Sequence, residues 1–230
     1  MAMKIFGHRG ARGLKPENTI PSFLEGIKST KAIELDVYCV DGQLVVIHDN
    51  TVDRTTNGKG WVMEMTFEEL RKLDAGGGAQ IPTLQEVLDT VGSDTYVNIE
   101  LKGVGTAEEV AKVIRAYIRH KSDVGWDSED FLVSSFNHVE LAKFHKLMPD
   151  IRIGVLFCGV PVNLAQYAKD MGAYSINLDR DFVTQELVDS AHDLGLNVAV
   201  YTVNDQDEAN RLKAKGVDGI FTDYPDRIKG

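Results

Sequence analysis

The chain has 230 residues, 43% of them apolar and 26% charged, and 25 basic against 35 acidic residues give a net charge of −10. So acidic a surface disfavours nucleic acid and anionic membranes as partners, but not a small anionic substrate, because a bound cation reverses the sign of a cleft locally. No run reaches the roughly 18 apolar residues of a membrane span and no signal-like apolar segment opens the chain, so a cytoplasmic protein with no integral membrane segment is expected. Cys39 and Cys158 sit in apolar stretches and read as small buried hydrophobes, not as a disulfide or a metal pair.

A first strand is predicted over residues 3–7, followed by Pro16-Glu17-Asn18-Thr19 ahead of a helix, where Asn18 or Thr19 suits an N-cap. A second strand is predicted over 32–38, with 44–47 read as its extension. Residues 50–79 then break the pattern with turns, Trp61, a short helical stretch near 67–73 and Gly76-Gly77-Gly78. They read as an insertion after the second strand. Thr83 to Glu86 has capping-box spacing. Beyond it, strands predicted at 96–101, 131–134, 151–157, 174–178, 197–202 and 219–222 alternate with helical patterns at 108–120, 139–146, 184–194 and 205–215. Gly195 and Gly216 suit helix C-termini. Eight strands alternating with helices predict a (β/α)8 TIM barrel spanning 1–230 as one domain. An open doubly wound sheet is the competing reading, but His8-Arg9-Gly10-Ala11-Arg12-Gly13 is not its glycine fingerprint.

In such barrels chemistry sits where strands end. His8 and Arg9 close the first strand, Glu34 and Asp36 lie near the end of the second, His48-Asp49 follows its extension, and Glu100 and Lys102 end the third. Residues two apart on a strand share a face, so Glu34 and Asp36 point the same way. Paired carboxylates repel each other and persist more easily around a cation. Oxygen-only ligation favours a hard ion, Mg²⁺ or Ca²⁺. Taken singly, each of these residues has a plainer reading: an exposed strand face, a capping histidine, a lysine paired with a carboxylate. Their joint placement at strand ends is what points to a site.

An ordered set of motifs adds to this. His8-Arg9-Gly10, Pro16-Glu17-Asn18-Thr19, Glu34-Leu35-Asp36-Val37, His48-Asp49, Arg54-Thr55-Thr56-Asn57-Gly58-Lys59-Gly60, Ile81-Pro82-Thr83-Leu84, Glu100-Leu101-Lys102, Ser134-Ser135-Phe136, Tyr201-Thr202-Val203-Asn204 and Gly216 to Asp223 follow one another along almost the whole chain. In this the sequence resembles the glycerophosphodiester phosphodiesterase family. The resemblance implies a TIM barrel with a small insertion after the second strand and one divalent metal ion held by Glu34, Asp36 and Glu100. It implies His8 and His48 as the acid/base pair, with Arg9 and Lys102 on the phosphate. Phe136 and Tyr201 are candidate walls of the substrate pocket; Tyr201 stands where many members carry Trp.

Asn18 and Thr19 are read as caps and not as catalytic groups, Asp223 as the cap of a turn, and Glu17 as a residue within reach of the site. His120, His138, His145 and His192 fall in helical patterns and read as surface or packing residues. The expected reaction is hydrolysis of a small glycerophosphodiester to sn-glycerol 3-phosphate and an alcohol. A lysophospholipase D using the same site is the alternative, with Trp61, Val62, Met63 and Met65 as a groove for an acyl chain. A non-catalytic anion-binding barrel is the third reading, disfavoured because both histidines and all three carboxylates are present.

Overall fold

In the computed structural model, which describes residues 2–119 and 125–230, the strands are β1 (Lys4–Gly7), β2 (Ala32–Val40), β3 (Gln43–Val46), β4 (Tyr96–Leu101), β5 (Phe131–Ser135), β6 (Arg152–Phe157), β7 (Ser175–Asp179), β8 (Asn197–Tyr201) and β9 (Gly219–Thr222). All but β3 run parallel, and β1 pairs with both β2 and β9, so eight parallel strands close into a barrel with helices between them. The predicted TIM barrel is the architecture found.

The alternation of each strand decides which side chains enter the barrel. Outward residues such as Ile33, Leu35, Val97, Ile99, Ile153 and Val198 join the apolar layer beneath the helices. Inward residues are mixed. Phe6, Ala32, Ala199 and Phe221, with Tyr96 and Tyr201 packed on them, form an interior apolar cluster. Most of the rest of the inner wall is polar, with Leu156 an apolar exception at the cleft.

Helix boundaries follow the chemistry read from the sequence. Thr83 and Glu86 form a reciprocal capping box on the helix Leu84–Val91, Thr184 caps Gln185–Asp193 and Asp205 caps Gln206–Ala214. Gly195 and Gly216 take the left-handed backbone after their helices, with φ of 75° and 94°. The helix predicted over 108–120 is Thr106–Arg119; His120 lies outside the described residues.

The stretch 44–47 is not an extension of β2. It is a separate antiparallel strand, β3, joined to β2 by Asp41-Gly42. Both turn residues have positive φ, 51° and 73°, as a type I′ hairpin requires. The insertion therefore follows a hairpin. Its Val52, Val62, Leu70 and Ala75, with Ile81 just beyond it, pack on Tyr38, Val40, Val45 and Ile47 to form a second apolar cluster. The cysteine reading also needs correction: Cys39 is half-buried against the core, but Cys158 is exposed.

Candidate active site

β2 extends past the rim before turning, and β3 runs back alongside it until the Ile47 amide donates to the Asp36 carbonyl. That return places His48 beside the strand-end carboxylates. Asp36 lies level with Glu100 on β4, and Glu34 level with Asn98. Ligand oxygens of Glu34, Asp36 and Glu100 all lie within 4.8 Å of one another, and all three residues are buried. Two histidines, His8 and His48, open onto the same cleft of about 230 Å³, which Arg9, Arg12, Glu34, Glu100, Phe136 and Tyr201 also line.

Each histidine is held from behind. A carboxylate only accepts, so the Nδ1–H of His8 donates to Asp223 Oδ1 at 2.7 Å and that of His48 donates to Asp49 Oδ1 at 2.6 Å. The Nε2 atoms are left facing the site: that of His8 is 3.9 Å from Glu34, and that of His48 accepts from the Lys102 ammonium at 3.3 Å. Burial lowers the pKa of both imidazoles, outweighing their carboxylate neighbours, so both are neutral near pH 7.

The carboxylates behave as a strained group. Burial, then the charges of Asp36 and Glu100, raises Glu34 well above the ordinary range. Burial and Asp36 raise Glu100 to about 7. Asp36 goes the other way: burial opposes its ionisation, but Lys102, Arg9 and His48 outweigh it. Asp36 Oδ1 is nonetheless a buried oxygen without a hydrogen-bond partner among the described residues.

Around the cleft, six carboxylates (Glu17, Glu34, Asp36, Asp49, Glu100, Asp223) face four permanent cations (Arg9, Arg12, Arg54, Lys102). With all six ionised the site is two positive charges short of balance, and its orphaned oxygen and all-oxygen donor set fit one hard divalent ion, which would hold Glu34 and Glu100 in their ionised form.

The cations are themselves positioned. Arg9 takes a left-handed backbone (φ 51°), costly for a residue with a Cβ and held here by its bonds. Its amide donates to Glu34 at 2.9 Å and its guanidinium to Glu17 at 2.7 Å. Burial opposes the charge on Glu17, but Arg54 and Arg9 hold it down at about 2. Arg54 bridges Glu17 and Asp49, tying the first loop to the insertion. Lys102 lies among Glu100 (2.8 Å), Asp36 (3.7 Å) and His48.

Phe136 and Tyr201 meet edge to face at 5.8 Å, and the Tyr201 hydroxyl donates to the Phe157 carbonyl, which leaves its ring as the wall.

Two residues depart from their expected roles. Thr19 caps the helix Ile20–Gly26, but buried Asn18 donates to Asp36 at 2.9 Å from a left-handed backbone, φ 55°. Asp223 does not simply cap a turn: its Oδ1 holds His8 and pairs with Arg12 at 3.4 Å, while Asn204 donates to its Oδ2 at 2.9 Å. Arg12, unassigned from the sequence, lines the cleft.

Comparison with known proteins agrees with this geometry. The model of the glycerophosphoryl diester phosphodiesterase family matches residues 8–227. A glycerophosphodiester phosphodiesterase of Bacillus altitudinis is 41% identical over 239 residues, covering 97% of this chain and 96% of the relative. One from Caldanaerobacter subterraneus subsp. tengcongensis is 39% identical over 244 residues, covering 99% and 97%. Among solved structures, an Oleispira antarctica phosphodiesterase in complex with the product sn-glycerol-3-phosphate superposes with a TM-score of 0.87 at 30% identity, over 99% of this chain and 95% of that one. Buried carboxylates, paired histidines and these relationships together establish that the chain is an enzyme belonging to the glycerophosphoryl diester phosphodiesterase family.

Proposed function

We propose that this enzyme hydrolyses glycerophosphodiesters to sn-glycerol 3-phosphate and an alcohol with one divalent ion, Mg²⁺ or Ca²⁺, held by Glu34, Asp36 and Glu100. The observation that carries the reading is two histidines, each fixed through Nδ1 with Nε2 turned to the site, beside a buried trio of carboxylates. Residues 1–230 act as one catalytic unit, with 50–79 as an insertion that carries Arg54 to the cleft. When bound, the ion supplies Lewis-acid stabilisation of phosphoryl charge.

The chain's own residues do the rest. Arg9 and Lys102 face the phosphate, Arg9 as a planar fork and Lys102 as a point charge, and Arg12 adds a cation at the mouth. One histidine removes the proton of the attacking hydroxyl at its Nε2; the other protonates the departing alkoxide from its Nε2 after taking up a proton there, from solvent or, at His48, from the Lys102 ammonium that donates to it at 3.3 Å. Each transfer contributes about 10² to 10⁴ in rate. Phe136 and Tyr201 wall the organic part of the substrate.

The lysophospholipid alternative has less support. Val62 and Met65 are packed into the insertion's own core; Trp61 and Met63 are exposed but do not line the cleft. Purified protein with Mg²⁺ or Ca²⁺ should release glycerol 3-phosphate from glycerophosphocholine or glycerophosphoethanolamine faster than it cleaves lysophosphatidylcholine. Full activity surviving both a chelator and His8→Ala would overturn the mechanism.

A further inference from the structure

At the level of the carboxylates, the inner wall of the barrel carries two polar side chains that the chemistry above does not use. Ser134 on β5 lies level with Glu100, and Asn98 on β4 lies level with Glu34. Both face inward, both line the cleft, and they are 0% and 2% exposed. Neither Ser134 Oγ nor Asn98 Oδ1 has a hydrogen-bond partner among the described residues.

The contrast with Ser135 is informative. That equally buried hydroxyl is engaged by the fold, donating to the Leu101 carbonyl and accepting from the Asn137 amide. A buried polar atom left unpaired costs about 1–3 kcal/mol, so two on the floor of one cleft are features the fold itself does not explain.

We propose that Asn98 and Ser134 form a hydroxyl-reading floor, which takes the terminal hydroxyl of the substrate's glycerol group. This rests on the glycerophosphodiester reading above. A hydroxyl both donates and accepts, so it satisfies the Asn98 oxygen and the Ser134 hydroxyl together. Neither floor residue is charged, which suits a neutral polyol and not an ammonium group. The cleft walls near them include Leu156 and Phe221, apolar surfaces for a short carbon chain. Position also fits. Asn98 is level with Glu34 but two strand residues from Glu100, about 6.6 Å, close to the span of a three-carbon chain whose far end is tied to a phosphate near Asp36 and Glu100. An alcohol without the terminal hydroxyl leaves both floor atoms unpaired. That penalty is how sites reject such analogues.

The test compares glycerophosphoethanolamine with its analogue built on propane-1,2-diol, which keeps the hydroxyl next to the phosphoester and lacks only the terminal one. Wild-type enzyme should favour the glycerol diester by at least about 10² in kcat/KM. Ser134→Ala should lower kcat/KM on the glycerol diester about tenfold and on the analogue by clearly less, so the preference narrows; Asn98→Ala should narrow it too. A wild type that treats the two substrates alike overturns the proposal. So does a variant that loses the same factor on both, which assigns the two atoms to ordered water. A wild type that cleaves neither diester overturns the glycerophosphodiester reading itself.

Discussion

His8 and Asp223 meet at 2.7 Å although 215 positions separate them in the chain. β9 pairs with β1 to close the barrel, and the two loops that leave these strands share one corner of the rim. Asn204 fixes the carboxylate by donating to Asp223 Oδ2 and accepting from the Asp223 amide. In Asp223→Asn, the side-chain oxygen must face Asn204, so the new amide NH₂ turns toward His8. It then donates to Nδ1, which shifts the imidazole proton to Nε2 and leaves no lone pair facing the cleft. A kcat loss of about 10² or more is expected, with KM changed less than about threefold, because the wrong tautomer impairs proton transfer and not binding. Steady-state kinetics on glycerophosphoethanolamine decide it, and a kcat within a few-fold of wild type would count against the role. No local pattern marks Asp223 as a partner of His8; only the order of strands around a closed barrel puts them together. Asn18 was missed for a related reason. Its sequence context is that of a helix cap, and only the left-handed backbone aims its amide at Asp36.

At the scale of elements, the hairpin β2–β3 is the device that gathers the site. It carries Glu34 and Asp36 out on one strand and returns His48 on the other. The signal for it was present as Asp41-Gly42, a dipeptide suited to positive φ at both positions, but an apolar run directly after a strand reads as more of the same strand. Capping boxes and helix-ending glycines, by contrast, depend on residues a few positions apart and are legible directly. Two substitutions separate these roles. Gly42→Val has open space around its side chain, so its cost is backbone strain, about 1–2 kcal/mol. Because His48 follows β3 by two residues, kcat should fall along with stability. Thr83→Ala breaks a capping box outside the cleft and should cost about 1 kcal/mol with kcat unchanged. Urea unfolding paired with turnover assays checks both; a Gly42→Val enzyme of reduced stability but full kcat would show that the hairpin turn does not position His48.

Over the whole molecule, the site couples stability to pH and to the metal. Glu34 and Glu100 have carboxyl pKa values raised by burial and then by the charge of Asp36, Glu100 to about 7. A group raised on folding contributes least once it ionises, so stability falls as pH rises through the folded value. His8 and His48 are lowered on folding, which makes stability rise with pH up to about 6.5, their unfolded value. The glutamates therefore govern the window from about pH 6.5 to 8, where the metal-free protein should lose melting temperature as pH increases. A divalent ion binds the ionised carboxylates and opposes this. At about one hundred times its Kd it stabilises by about 2.7 kcal/mol, or roughly 5–10 °C in a chain of this size, and the increment should grow across the same window. Glu100→Gln removes one repelling charge and one ligand together. It should flatten the metal-free decline between pH 6.5 and 8 and remove most of the increment with Mg²⁺ or Ca²⁺. Thermal melts with chelator and with each ion measure both effects. An increment that is full-sized in Glu100→Gln, or that does not change with pH in the wild type, would place the cation somewhere other than the carboxylate trio.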